Sequence, residues 1–97
     1  MNKISYEERK VVYEKALQTW GVEAQIMMAI EEMSELTKEL CKHHRGRPNI
    51  EDIADEIADV TIMLEQLRLI FGVNDAVCAH MDYKVLRLQS RLGGVQE

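Results

Sequence analysis

The chain has 97 residues, 46% of them hydrophobic and 5% aromatic, and a formal net charge of −5 at pH 7. This length predicts one domain, residues 1-97, with a thin core, and the negative charge disfavours non-specific binding to nucleic acid or an anionic membrane. Residues 1–10 lack the apolar run of a secretory signal, and no apolar run is long enough for a membrane span. Cys41 and Cys78 form no CxxC pair, which indicates reduced, buried thiols. We therefore predict a cytoplasmic protein with no membrane or nucleic-acid partner.

A capping signature and two glycines delimit the first two predicted helices. Ser5, followed three residues later by Glu8, forms a capping box that begins a helix over about residues 6–19. Gly21 separates this helix from a second one over about residues 22–44, which Gly46 ends. Apolar residues of the second helix recur at steps of four and three, which predicts a buried stripe of Val22, Ile26, Ala29, Met33, Leu36 and Leu40.

Asparagines at positions 49 and 74 are the predicted N-caps of a third and a fourth helix. The third helix carries a heptad rhythm that Gly72 ends, formed by Ile50, Ile53, Ile57, Val60, Leu64, Leu67 and Phe71. The fourth continues to Gly93 and Gly94 through Val77, Met81, Val85 (or Lys84), Leu88 and Leu92. Sustained periodicity with short connections predicts an all-α, four-helix antiparallel bundle. Because one such core is thin, we expect this chain to associate with other copies of itself.

Two acidic pairs occupy equivalent places beside the predicted apolar stripes. Glu32 and Glu35 lie one residue before stripe positions of the second helix, and Glu56 and Asp59 do the same on the third. If the two helices are antiparallel neighbours, four carboxylates converge near the middle of the bundle. Two unit charges about 4 Å apart repel by roughly 4 kcal/mol at an effective dielectric of about 20, so such a cluster needs protons or a cation. Oxygen ligands favour Mg²⁺ or Mn²⁺ over zinc or copper, and the lack of Glu-x-x-His argues against a di-iron site.

The acidic motif resembles that of the MazG-like, all-α nucleoside triphosphate pyrophosphohydrolases. Glu31-Glu32-Met33-Ser34-Glu35, followed by Glu56-Ile57-Ala58-Asp59, is similar to the family pattern EExxE and ExxD, and residues 20 to 67 look like this family. The resemblance implies Mg²⁺-dependent hydrolysis of a nucleoside triphosphate to the monophosphate and pyrophosphate by a dimer or tetramer. It also implies that Glu32, Glu35, Glu56 and Asp59 are metal ligands and that Glu31 is an outer-shell carboxylate. Glu35 is in addition our candidate for helping to deprotonate the attacking water.

Five further residues are candidates for contacting such a substrate. Lys38 and Lys42 continue the helical face of Glu35, where they can bind phosphates, and Lys84 resembles a basic position that follows the motif in relatives. Trp20 either stacks on a nucleobase or packs in the core. Gln25 lies seven residues before Glu32 on the carboxylate face, which makes it a candidate for reading the base.

The competing interpretation is a non-enzymatic helical interaction module, in which the acidic faces are only solvated. A third is a metal-binding bundle that has lost turnover. The enzyme and the module differ in one property, since only the enzyme is expected to bind divalent cations specifically. The sequence leaves the preferred base and sugar open.

Overall fold

Four helices account for most of the chain in the computed structural model, which describes residues 3–94. They are α1 (Tyr6–Trp20), α2 (Val22–His44), α3 (Ile50–Phe71) and α4 (Asn74–Gly94). No strand is present within residues 3–94, so the prediction of an all-helical fold is confirmed. None of the helices in that range is long and apolar enough to cross a membrane.

A polar side chain precedes both α1 and α3, but only the one before α1 caps its helix. The backbone N–H of Glu8 donates to Ser5 Oγ and that of Ser5 donates to Glu8 Oε1, both at 3.1 Å, so the predicted capping box is present. Asn49 stands at the N-cap of α3, but its side chain caps nothing there. Its Nδ2 instead donates to the carbonyl oxygen and to Oε1 of Glu39, both at 2.9 Å, and thereby fastens the turn between α2 and α3. Asn74 is the first helical residue of α4 rather than its cap.

The helices α2 and α3 pack as an antiparallel hairpin. Residue numbers increase along α2 while those of the contacting residues on α3 decrease: Gln25 contacts Gln66, and Glu39 contacts Asn49. The closest packing lies between these ends, where Ala29 is 1% exposed. A small residue at this position lets the two backbones approach each other, and this hairpin carries the acidic residues of interest.

Helix α1 is held against α3 by a polar cluster. The Arg9 guanidinium donates to Glu65 through Nε to Oε1 at 3.0 Å and through a terminal nitrogen to Oε2 at 2.9 Å. The hydroxyl of the buried Tyr13 donates to Oε1 of the same carboxylate. Such two-pronged pairs between arginine and carboxylate fix orientation as well as distance.

Helix α4 makes its main contacts with α3 and is exposed along nearly all of its described length. The molecule is correspondingly extended, with a radius of gyration of 16.8 Å, whereas a compact domain of about 100 residues has a radius of about 13 Å. Most apolar side chains of α4 are therefore left uncovered by the rest of residues 3–94.

The predicted buried stripes are only partly correct. Ala29 is buried as predicted, but Met33, Ile57 and Leu64 are exposed, the last two at 49% and 48%. The interface between α2 and α3 is formed instead by the positions around Ala29 and Met63, which include the carboxylate-bearing face. Both thiols are also exposed, which contradicts the predicted burial of Cys41 and Cys78. Apolar periodicity shows which residues share a helical face, but it does not show whether another helix covers that face.

Candidate metal centre

Three carboxylates from two helices meet between α2 and α3. Glu32 comes from α2, and Glu56 and Asp59 come from successive turns of α3. One carboxylate oxygen of each residue lies within 4.8 Å of the corresponding oxygen of the others. All three side chains are half-buried. The hairpin therefore brings together three of the four residues that the sequence motif predicts as metal ligands.

The surroundings of this triad resist negative charge. Desolvation raises the pKa of Glu32, and the nearby Asp59 and Glu56 raise it further. Desolvation is also the main cause that raises the pKa of Glu56, followed by repulsion from Asp59 and Asp55. Neighbouring carboxylates thus make the ionisation of Glu32 and Glu56 harder, as expected for like charges in one site.

The carboxylate of Glu56 is incompletely satisfied by hydrogen bonds from the described residues. Glu56 Oε2 is buried and has no hydrogen-bond partner among residues 3–94. Burying a carboxylate oxygen without a donor is costly, because it loses its hydration and gains nothing in return. A cation would satisfy this oxygen and neutralise its acidic neighbours at the same time.

The donor set fits a hard divalent cation. All three ligand atoms are carboxylate oxygens, the type that Mg²⁺ and Mn²⁺ prefer. Octahedral Mg²⁺ takes six oxygens at about 2.0–2.1 Å, so three protein ligands leave about three positions for water or phosphate oxygens.

The other two predicted acidic residues lie at the border of the triad. Glu35 is exposed and is not one of the three clustered carboxylates, but its charge helps to raise the pKa of Glu56. Glu31 is exposed as well, and its charge helps to raise the pKa of Glu32. Their predicted roles as ligand, base or outer-shell group stay predictions.

A cavity of about 400 Å³ opens between α1, α2 and α3, one heptad along the hairpin from the triad. Its walls are mainly apolar and include Trp20, which is 66% exposed. Two buried amides stand at the cavity, with Gln25 Nε2 donating to Gln66 Oε1 at 2.6 Å. Gln66 was not predicted from the sequence. Its signal was available, since Gln66 follows Asp59 by seven residues just as Gln25 precedes Glu32 by seven.

The three predicted phosphate-binding lysines lie on α2 and α4. Lys42 Nζ forms an ion pair with Glu39 Oε2 at 3.2 Å, and together with the Asn49 amide it lowers the pKa of Glu39. Lys38 is exposed on the same helix. Lys84 is exposed on α4, whose main contacts are with α3.

Comparison with protein-family models, curated proteins and solved structures gives no match for this chain. A proposal of function accordingly depends on two features of the chain itself, the carboxylate triad and the adjoining cavity.

Proposed function

We propose that this chain is a Mg²⁺-dependent nucleoside triphosphate pyrophosphohydrolase of the MazG-like kind, acting in the cytoplasm. The observation that carries the proposal is the convergence of Glu32, Glu56 and Asp59, with one buried and unpartnered oxygen on Glu56. A triphosphate is strongly anionic, so it can approach three carboxylates only if a divalent cation reverses the local charge. Mn²⁺ is expected to substitute for Mg²⁺, since both prefer oxygen ligands.

In this proposal each acidic residue has a definite task. Bound Mg²⁺ supplies charge neutralisation and a grip on phosphoryl oxygens. Glu32, Glu56 and Asp59 hold the ion, with Glu35 as a fourth ligand or as the group that takes a proton from the attacking water. Glu31 orients its neighbours. Water oxygen bonds to the α-phosphorus as the α–β anhydride bond breaks, which yields a nucleoside monophosphate and pyrophosphate.

The cavity beside the triad is our candidate for the nucleobase site. Its apolar walls suit the faces of a base, and Trp20 is exposed enough to stack on one. The amides of Gln25 and Gln66 offer a donor and an acceptor for the polar edge of the base. Lys38, Lys42 and Lys84 complete the proposal as phosphate-binding residues. It also includes assembly as a homodimer or homotetramer in an antiparallel bundle, with no membrane or nucleic-acid partner.

The test is pyrophosphate release from a panel of ribo- and deoxyribonucleoside triphosphates, with Mg²⁺ and with a chelator. We expect Mg²⁺-dependent release and a loss of about 100-fold or more in Glu56→Gln, since even groups that only orient metal ligands contribute about 10–100-fold. Glu51→Gln is the matched control, because Glu51 is exposed on the same helix outside the triad. Turnover that survives in chelator or in Glu56→Gln would overturn the proposal.

The second candidate function is a helical interaction module, which the many exposed apolar side chains favour. Calorimetric titration with Mg²⁺ separates the two candidates. Binding that disappears in Glu56→Gln supports the metal site, and absence of binding in the wild type supports the module. Specific binding without release from any nucleotide would instead identify a metal site without turnover.

A further inference from the structure

A short chain of hydrogen bonds crosses from α3 to α2 at the wall of the cavity between α1, α2 and α3. Gln66 Nε2 donates to the thioether sulfur of Met63 at 3.5 Å, and Gln66 Oε1 accepts from Gln25 Nε2 at 2.6 Å. All three side chains are more than nine-tenths buried, and all three line the cavity. The only polar groups of this part of the interface are therefore linked to one another in a fixed order.

The sulfur of Met63 sets the direction of this chain of hydrogen bonds. A thioether sulfur can accept a hydrogen bond but cannot donate one, so the group of Gln66 that faces it is the amide nitrogen. Gln66 therefore turns its oxygen toward α2, where Gln25 donates through its own nitrogen. If Gln66 were reversed, its oxygen would face the sulfur, and two acceptors would stand together without a hydrogen between them. The free end of the chain is consequently an acceptor, Gln25 Oε1.

Gln25 Oε1 is open to the cavity. It accepts no hydrogen bond from any group within residues 3–94, and it is not one of the fully enclosed side-chain oxygens without a partner in that range, which belong to Asn49 and Glu56. It therefore borders the free volume of the cavity that Gln25 lines. An amide oxygen on a mainly apolar wall is poorly hydrated, so a ligand that brings an N–H group to it is favoured over one that does not.

The distance between this oxygen and the carboxylate triad suits a nucleoside. Gln25 precedes Glu32 by seven residues of one helix, a rise of about 10 Å. A nucleotide whose α-phosphate lies at the triad can therefore reach Gln25 with the edge of its base that points away from the sugar. The exocyclic group at that edge projects furthest from the ring, so it is the first atom of the base to meet the buried oxygen.

We propose that Gln25 Oε1 selects nucleotides whose base carries an exocyclic amine at this edge, cytosine or adenine, over the keto counterparts uracil and hypoxanthine. An amine donates to Gln25 Oε1, whereas a keto oxygen brings a second acceptor against it and leaves both oxygens unpaired. This selection rests on the base site of the proposed function and names the class of base that the site takes. Met63 acts as the positioning residue, because its sulfur fixes which atom of Gln25 faces the ligand.

The rate of pyrophosphate release from two matched pairs of nucleotides tests the selection. The pairs are dCTP with dUTP and ATP with ITP, each measured as kcat/KM with Mg²⁺. We expect a value at least about tenfold higher for the amine-bearing member of each pair, the size of one mismatched buried hydrogen bond. Equal values, or a preference for the keto members, would rule the selection out. Absence of release from all four is the failure of the proposed hydrolysis, and the binding measurement then decides the selection alone.

Binding of nucleoside monophosphates can be followed without turnover through Trp20. It is the only tryptophan of the chain and it lines the same cavity, so its fluorescence reports whether the cavity is occupied. Titration with dCMP and with dUMP in Mg²⁺ should change this fluorescence, with a dissociation constant at least about tenfold lower for dCMP. No change with either nucleotide, or equal constants for the two, would overturn the selection even in a protein that hydrolyses triphosphates.

A matched pair of methionine variants tests the role of the sulfur. Met63→Leu keeps the volume of the side chain but removes the acceptor, so Gln66 is free to turn and the two amides can reverse together. We expect the preference for dCMP over dUMP to fall below about threefold in this variant. Met28→Leu is the control, since Met28 lines the same cavity outside the chain of hydrogen bonds, and it should keep the full preference. With both variants shown to be folded by circular dichroism, an unchanged preference in Met63→Leu, or an equal fall in both, would contradict the assignment.

Discussion

The two faces of α3 differ in what they leave unsatisfied. Toward α2, the helix buries polar groups, including Gln66 and one oxygen of Glu56 that has no partner. Toward α4, it exposes apolar side chains such as Leu64 and Phe71. A buried oxygen without a hydrogen-bond donor is unfavourable because it has lost its hydration, so a bound cation would stabilise the first face. Exposed apolar side chains are unfavourable in water, so contact with another protein surface would stabilise the second face. The same helix thus supports both the proposed site and the proposed assembly.

The largest effect that we expect is the difference in stability between a new carboxylate in the α2–α3 interface and a new carboxylate on the exposed surface of α4. Ala29→Glu puts an unpaired charge into the closed interface beside the triad, and we expect it to lower the free energy of unfolding by about 3–5 kcal/mol. Leu88→Glu lies in the open surface, so its own chain should keep its helical structure at high dilution. Thermal unfolding followed by circular dichroism measures both variants. If both variants were destabilised by a similar amount in dilute solution, the two surfaces would not differ in how well they tolerate a charge.

Mg²⁺ should raise the free energy of unfolding only through the carboxylate triad between α2 and α3. At a concentration 100 times the dissociation constant, a ligand specific to the folded state adds about 2.7 kcal/mol to the free energy of unfolding. We expect this gain in the wild type and in Leu88→Glu, measured by denaturant titration in dilute solution. In Glu56→Gln it should be absent, and a gain of the same size there would mean that the ion binds elsewhere.

Glu65 connects α1 to α3, and its removal should have an intermediate effect. Glu65→Gln keeps the size of the side chain but loses the charged pair with Arg9, for an expected cost of about 1–2 kcal/mol. Hydrogen bonds from Arg9 and Tyr13 lower the pKa of Glu65. A lowered carboxyl pKa stabilises the fold above the unfolded value of about 4.3 and is lost as pH falls through the folded value. The difference between wild type and variant should therefore vanish in acid, and a difference constant from pH 7 to pH 2 would contradict this origin.

The smallest expected effect is the opposite pH dependence of the triad without metal. The pKa values of Glu32 and Glu56 are raised, so in the folded protein their protonation is favoured relative to the unfolded chain. Their contribution is fully favourable below the unfolded value of about 4.3 and is lost as pH rises through the raised folded values. In chelator, the wild type should thus lose slightly more stability from pH 5 to pH 7 than Glu56→Gln does. Equal losses over that range would contradict mutual repulsion within the triad.

The helices themselves were predictable because their signals are local. The capping box of Ser5 and Glu8 and the glycines at 21 and 72 set helix bounds within a residue or so of those observed. The sequence predicted a meeting of four carboxylates from equal offsets on neighbouring antiparallel helices, and three of them, without Glu35, do cluster. The pairing of Asn49 with Glu39 and of Gln25 with Gln66 was not, because each depends on how two helices are aligned across space.

The sequence alone determined the number of helices, their ends and the acidic motif, since periodicity, capping and residue chemistry are properties of short segments. Only the tertiary structure decided which face of each helix is covered. Ile57 and Leu64 belong to the strongest apolar repeat of α3, yet they are exposed, while the neighbouring face with Glu56, Asp59 and Met63 packs against α2. A hydrophobic repeat records that a face avoids water, but the partner that covers the face is fixed by the arrangement of whole helices.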